Sequence, residues 1–267
     1  MPKTRVNGVE LHYEERGRGV PLVFSHGLLW SGRMFDAQVE ALSSRYRCIT
    51  FDHRGQGQSP RSPKVPYSMD ELAVDAAALL EWLGATPCHF VGLSMGGFVG
   101  LRLAIERPQL LRSLTLIESA ADAEPRLNVP KYRAMSLMVR LAGVRPLLKP
   151  VMRIMFGPAF LRDAQRADER ARQEALLRGN DIPGMLAALD AVITRRPLLD
   201  ELRHITTPTL VLHGEDDRAI VPPRARATAA AIAHARLRFI PRAGHTSTVE
   251  EPAAITHALA QFLDENG

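Results

Sequence analysis

A chain of 267 residues with 46% hydrophobic content is long enough for one large core, and its two cysteines exclude a cysteine-based zinc framework. The net charge of +5 comes almost wholly from arginine, 30 of the 34 basic residues, interspersed with Asp and Glu; this describes a solvated surface and argues against nucleic acid as a partner. No apolar stretch approaches a membrane span, and the opening Met1-Pro2-Lys3-Thr4-Arg5 lacks the apolar core of a signal peptide, so a cytoplasmic protein without stable membrane insertion is expected.

In chain order, Arg5 to Glu15 with Asn7-Gly8 at its turn reads as an antiparallel hairpin. Strands are then expected at Leu22 to Phe24, Arg47 to Phe51, Pro87 to Val91, Leu114 to Ile117, Thr209 to His213 and Leu237 to Ile240. Helices are expected near Met34 to Leu42, Met69 to Leu83, Gly97 to Glu106, Arg224 to Ala233 and Ala253 to Leu263. This alternation predicts an α/β fold with a mostly parallel central sheet flanked by helices. Between Ala121 and Thr206 the rhythm breaks into helix formers without a strong strand. Residues 121–206 are therefore expected to form an inserted helical cap, and 1–120 with 207–267 the core. Cys48 and Cys88 both fall in strand-like segments, which predicts buried free thiols.

The run Phe90-Val91-Gly92-Leu93-Ser94-Met95-Gly96-Gly97 places a serine between two glycines, with an apolar strand before it and a helix after it. A serine forced into a strained strand-to-helix turn needs small neighbours, and Gly92 and Gly96 supply the room. A serine hydroxyl is a poor nucleophile at neutral pH, so it requires a base and a group that orients the base. Downstream, one strand ends in His213-Gly214-Glu215-Asp216-Asp217 and the next is followed by Arg242-Ala243-Gly244-His245, which gives the chain order nucleophile, acid, histidine. Ser94, Asp217 and His245 are assigned as the catalytic triad, with His245 taking and returning the serine proton. Among nine histidines, His245 stands out because a glycine precedes it after the last strand and Glu251-Pro252 then opens a final helix. Asp216 is the local rival for the acid, and Glu118, at the end of Leu114-Thr115-Leu116-Ile117, is a more distant one.

From Val20 onward, the cap aside, the chain resembles α/β-hydrolases of the esterase, lactonase and cofactor-free haloperoxidase kind. The residues that carry the resemblance are His26-Gly27, the Asp52-to-Ser59 loop, the serine turn, Gly214-Glu215-Asp216-Asp217 and Gly244-His245. The resemblance implies the α/β-hydrolase fold, places the acid on Asp217 with Val221-Pro222 following, and implies neither cofactor nor metal. Met95 N–H, just after the nucleophile, is the expected first oxyanion donor, and the resemblance makes Leu28 N–H the second. The side chains of Leu28, Leu29 and Trp30 are then placed to shape an acyl pocket, although Trp30 serves equally well as packing. In the Asp52-to-Ser59 loop, a buried Asp-Arg pairing beneath the oxyanion hole is expected, with Gly55 and Gly57 meeting turn geometry.

The cap carries Met135, Met138, Leu141, Met152, Met155, Phe156, Met185 and Leu189 at helical spacing. These make either a lid over a hydrophobic pocket or simply its packing surface, and Met135 and Met138 are the candidate pocket residues. Lys131, Arg133, Arg140, Arg145, Lys149 and Arg153 leave open contact with an anionic lipid surface. The expected activity is serine hydrolysis of small to medium carboxylic esters or lactones through an acyl-enzyme, with a small-molecule ester as the partner. Carbon-carbon bond hydrolysis, hydroxynitrile cleavage and perhydrolase or haloperoxidase chemistry share the triad, and a hydrolase-fold small-molecule receptor is the alternative of another class. Relatives that use an aspartate nucleophile are disfavoured by Ser94.

Overall fold

The computed structural model describes residues 2–267. Strands β1 (Lys3–Val6) and β2 (Val9–Arg16) form the N-terminal hairpin. Its turn residues Asn7 and Gly8 both have left-handed backbone, φ 47° and 75°, as a two-residue turn matched to strand twist requires. Six more strands follow: β3 (Pro21–Ser25), β4 (Arg47–Phe51), β5 (Cys88–Leu93), β6 (Leu111–Ile117), β7 (Thr209–Gly214) and β8 (Arg236–Ile240). They complete an eight-stranded sheet in the order β1-β2-β4-β3-β5-β6-β7-β8, parallel from β4 to β8.

Side-chain alternation sorts the strands onto two cores. In β3, Leu22 and Phe24 face one layer and Val23 the other; in β5, Cys88 and Phe90 face one and Val91 and Leu93 the other. A strand covered on both faces must be apolar throughout, which is why these segments read as short unbroken runs. Helices α1 (Asp36–Leu42), α2 (Met69–Trp82) and α3 (Met95–Glu106) precede β6. The start of α2 is locally encoded: the Ser68 hydroxyl accepts from Glu71 N–H while the Glu71 carboxylate accepts from Ser68 N–H. Cys48 and Cys88 are free and buried, and burial pushes each thiol up to about 12, so neither is a reactive thiolate at neutral pH.

Between β6 and β7 lies a helical insert: α4 (Val129–Ala142), α5 (Leu148–Met155), α6 (Pro158–Arg162), α7 (Ala167–Arg178) and α8 (Ile182–Ile193). Its two ends meet where Leu198 N–H donates to Ala121 O at 2.7 Å. The turn that follows, Leu199–His204, buries Leu202 in the core of the sheet layer. The last helices are α9 (Pro222–Ala231), α10 (Ser247–Glu250) and α11 (Pro252–Glu265). The insert is bonded firmly to the layer below. Gly157 N–H donates to Glu250 Oε2, Thr246 N–H to Met155 O, Trp30 Nε1–H to Gln173 Oε1, and the Asn180 amide to Leu29 O. None of the helices among the described residues is long and apolar enough to cross a membrane.

One expectation about the insert changes. Met138 and Leu141 stand exposed on the outer side of α4, because the inward stripe of that helix runs through Tyr132, Met135, Ser136 and Val139. Met138 therefore lines no pocket over the sheet. The Asp52-to-Ser59 loop carries the expected buried Asp-Arg pair, its acid supplied from outside the loop. Asp52 accepts from Gly32 N–H, Gln58 N–H and His12 Nδ1, whereas Arg54 turns to Asp75 on α2, both partners nearly fully buried. Gly57, at φ 54°, lies so close to Asp52 that an added Cβ would sit 2.3 Å from its carboxylate, which is why the loop needs glycine there.

Candidate active site

Ser94 sits at the junction of β5 and α3 with φ 50° and ψ −109°, a strained conformation for a residue with a side chain. The packing around it explains the flanking glycines. A Cβ on Gly92 would lie 2.3 Å from Gly96 O, and one on Gly96 would lie 1.9 Å from Ser25 O on β3. Backbone cannot yield cheaply at either contact. Gly96→Ala is therefore expected to lower the unfolding free energy by about 3 kcal/mol or more, read from urea denaturation, because β3 and α3 must separate to admit one methyl group. A loss under ~1 kcal/mol would show that the two backbones are not pressed together as described.

The strained turn lifts the Ser94 hydroxyl toward the loop after β8, where His245 Nε2 lies 2.9 Å from Ser94 Oγ. On the other side of the imidazole, Nδ1 lies 2.8 Å from Asp217 Oδ2. A carboxylate only accepts, so Nδ1 carries the proton and Nε2 presents a lone pair to the serine hydroxyl. Asp217 is fixed by its other oxygen, Oδ1, which accepts from Ala219 N–H at 2.8 Å and Ile220 N–H at 3.0 Å. The structure thus brings together the three residues expected from the sequence. Of the rivals on the same loop, Glu215 is exposed and Asp216 half-buried, and neither bonds to His245.

Glu118, the distant rival, is fully buried at the end of β6, and its two carboxyl oxygens face Gly214 N–H at 2.8 and 2.9 Å. It approaches Asp217 rather than His245. Burial, and then the charge of Asp217, drive the Glu118 carboxyl well above the usual carboxylate range. Burial is the largest influence on Asp217 and acts to raise it, but His245, His213 and the Ile220 N–H together outweigh it and the net shift is downward. The environment therefore separates the two acids, with Asp217 as the anion. His213 packs between them: its Nε2–H donates to Ile220 O and lies 3.5 Å from Asp217 Oδ2. Glu118, His213 and Asp217 are the buried residues whose potential ligand atoms converge, within 4.8 Å. Their bonds to Gly214, Ile220 and His245 organise this cluster around the Asp217 anion.

Several histidines that lack a catalytic pattern have structural partners. His26 Nε2 accepts from His53 N–H, His53 Nε2 bonds Ser25 Oγ, and His89 Nδ1 bonds Ser113 Oγ. Burial lowers the pKa of all three, which keeps them neutral packing elements. The His245 loop has its own support. Glu250 accepts from Gly244 N–H and Thr246 N–H on either side of His245, and from Gly157 N–H of the insert.

Met95 is the first residue of α3, where a backbone N–H has no partner within the helix and the helix dipole is positive. Leu28 follows β3, and its N–H makes no hydrogen bond among the described residues. Gln56 reaches both segments: its Oε1 accepts from Leu29 N–H at 3.2 Å, and its Nε2 lies 3.7 Å from Met95 Sδ. The Asp52-to-Ser59 loop therefore supports this region through Gln56.

Beside Ser94 and His245 is a cavity of about 60 Å³, walled also by Leu28, Phe98, Glu124 and Arg195. A second cavity of about 100 Å³ lies beneath the insert, lined almost entirely by apolar atoms, among them Met135, Val139, Leu147 and Met185. The two share Leu28, Tyr132, Met155 and Leu189 as common walls. Trp30 borders neither; its buried indole packs edge-on against Phe156 and is anchored to Gln173. Tyr132, Glu124 and Arg195 have no motif in the sequence that marks them.

A strained serine turn at the edge of a parallel sheet, facing a histidine and an acid from later loops, defines a hydrolase scaffold. The chain belongs to the family described as alpha/beta hydrolase fold, whose model matches residues 20–252. Among its relatives is a putative carbamate hydrolase RutD from Stutzerimonas stutzeri (strain A1501), 31% identical over 265 residues, covering 96% of this chain and 97% of that protein. A thermophilic esterase from Thermogutta terrifontis, solved with malate bound, superposes with a TM-score of 0.92 at 27% identity, covering 99% of each chain. The enol-lactonase from Burkholderia xenovorans LB400 superposes with a TM-score of 0.90 at 30% identity, covering 98% of this chain and 100% of that one.

Proposed function

We propose that this protein is a serine hydrolase of carboxylic esters, lactones included, acting through Ser94, His245 and Asp217. The observation that carries the reading is the continuous contact from Ser94 Oγ to His245 Nε2 at 2.9 Å and from His245 Nδ1 to Asp217 Oδ2 at 2.8 Å. Ser94 Oγ attacks the ester carbonyl while His245 Nε2 takes its proton, and the carbonyl electron pair moves onto oxygen. Met95 and Leu28 N–H groups hold that oxyanion. Collapse expels the alcohol, which receives the proton from His245, and leaves Ser94 acylated. A water molecule, deprotonated by His245, then releases the acid and restores the hydroxyl. Asp217 holds the imidazole in the required tautomer and stabilises its cation throughout.

The apolar cavity beneath the insert favours an acyl or alcohol group of small to medium size, because its walls offer dispersion contacts and almost no polar partner. Met135 belongs to this pocket. Relatives named as an esterase and an enol-lactonase support the ester and lactone reading. The helical region between Ala121 and Leu198 serves as the cap of this site.

Labelling with a fluorophosphonate, followed by peptide mass spectrometry, tests the assignment. The adduct is expected on Ser94, absent in Ser94→Ala and strongly reduced in His245→Ala. An adduct on another serine, or none together with no turnover of p-nitrophenyl esters, would overturn it.

A further inference from the structure

Arg195 is the buried cation in the wall of the catalytic cavity, 6% exposed, and it sits at the end of the insert where the chain returns to the core. Only one corner of its guanidinium is used. Nη1 donates to Val192 O at 2.6 Å and to Glu124 Oε2 at 3.2 Å, while Nε and Nη2 have no hydrogen-bond partner among the described residues. Nε and Nη2 together form the side edge of the guanidinium, two parallel N–H donors matched to the two oxygens of a carboxylate. Elsewhere in this protein that same edge is filled by a carboxylate: Arg54 presents it to Asp75, and Arg61 to Asp181. At Arg195 the edge is complete and unspent.

The surroundings keep it ready. Phe98 lies against the guanidinium face with its ring centroid 4.2 Å from Cζ, which fixes the plane of the fork. Burial lowers the Arg195 pKa, opposed by Glu124, to about 10, so the group remains a cation at neutral pH. Glu124 does not cancel that charge alone. Its carboxylate is shared with the Asn128 amide at 2.8 Å and with Arg224 at 3.9 Å, while Arg224 is paired chiefly with Asp122. Buried donors of a charged group are costly to leave unpaired, and two on one residue, in a wall shared with Ser94 and His245, call for an acceptor that arrives with the ligand.

We propose that Arg195 is a specificity-determining residue that takes a carboxylate of the substrate, so that the preferred substrate is an ester or lactone bearing a free carboxylate beside the bond that is cut. This inference rests on the serine-ester reading and names its substrate class. The apolar cavity then receives the remaining hydrocarbon part.

The test compares matched esters. Mono-p-nitrophenyl glutarate is set against p-nitrophenyl valerate, which places the charge on the acyl side, and 4-acetoxybutyrate against butyl acetate, which places it on the alcohol side. In at least one pair the wild type is expected to favour the anionic ester about tenfold or more in kcat/KM. Arg195→Met is expected to reduce that preference by about ten- to a hundredfold, and Arg195→Lys, which keeps charge but loses the fork, by an intermediate factor. Should Arg195→Met fail to fold because Glu124 is stranded, the wild-type ratios and the Lys variant carry the test. Ratios at or below one in both pairs, or a ratio unmoved by the folded variants, would overturn the inference while neutral-ester turnover and Ser94 labelling leave the parent reading standing. Inert esters of every kind with no labelling at Ser94 would overturn both.

Discussion

Ser94→Ala is expected to lower kcat/KM for a p-nitrophenyl ester by about 10⁴- to 10⁶-fold, and adding His245→Ala to it is expected to cost almost nothing more. The reason lies in the geometry. Every proton that His245 Nε2 moves belongs to a sequence opened by attack of Ser94 Oγ, 2.9 Å away, so once the hydroxyl is gone no acyl-enzyme forms and the base has no step to serve. The single variants His245→Ala and Ser94→Ala should therefore resemble each other and the double variant. What remains in all of them is binding in the apolar cavity and the two backbone donors proposed for the oxyanion, Met95 and Leu28, which no side-chain substitution removes. Measured together, the three variants decide whether the residues act as one unit. If their losses multiply, each residue acts independently and the proton relay is wrong. Ser94→Ala should also fold normally, because its side chain is a surface of the cavity and the strained backbone is held by Ile117 O, which accepts from Ser94 N–H at 2.8 Å, and by the glycine contacts.

Much of this arrangement was legible in the amino-acid order, for a physical reason. Strands β3, β5 and β7 are buried on both faces, so they are short apolar runs bounded by glycine and proline, and the helix after β5 ends just before Pro108. The serine turn was legible because steric pressure leaves glycine as the one residue that fits at Gly92 and Gly96. The acid was less so. Nothing in Glu215-Asp216-Asp217 says which carboxylate turns inward; that is settled by the N–H groups of Ala219 and Ile220, which bind Asp217 Oδ1 from one side while His245 binds Oδ2 from the other. Buried charges were legible only as an Asp-Arg pair expected at the Asp52-to-Ser59 loop; their partners were not. Arg54 pairs with Asp75, 21 residues on, and Arg195 with Glu124, 71 residues back, so their burial follows from tertiary contacts that no local pattern encodes. Met138 and Leu141 show the opposite error: apolar residues on an insert need not face inward, and a stripe drawn through every methionine overstates the pocket.

The two buried carboxyl groups near His245 supply the sharpest remaining discrimination. Asp217→Asn is expected to lower kcat by about 10⁴-fold, because an amide can donate to His245 Nδ1 and so hold the imidazole in the wrong tautomer, with its proton on Nε2 facing the serine. Glu118→Gln should cost about tenfold or less. Its carboxyl is pushed upward by burial and then by Asp217, toward the uncharged form that glutamine keeps, and a glutamine oxygen can still accept from Gly214 N–H. The same asymmetry has a signature in stability. A carboxyl raised in the folded state holds its proton there after the unfolded chain has released it, so this group lowers stability as pH rises above its ordinary 4.5 toward its folded value. Asp217, shifted downward from 3.8, has the opposite sign: the stability it contributes is present at neutral pH and is lost on acidification. Urea unfolding of Glu118→Gln across pH 5 to 8 is thus expected to show a shallower decline with pH than the wild type, with activity largely kept. Equal losses of activity in the two variants would mean that Glu118 shares the charge that stabilises the His245 cation, and the division of labour between the acids would have to be abandoned.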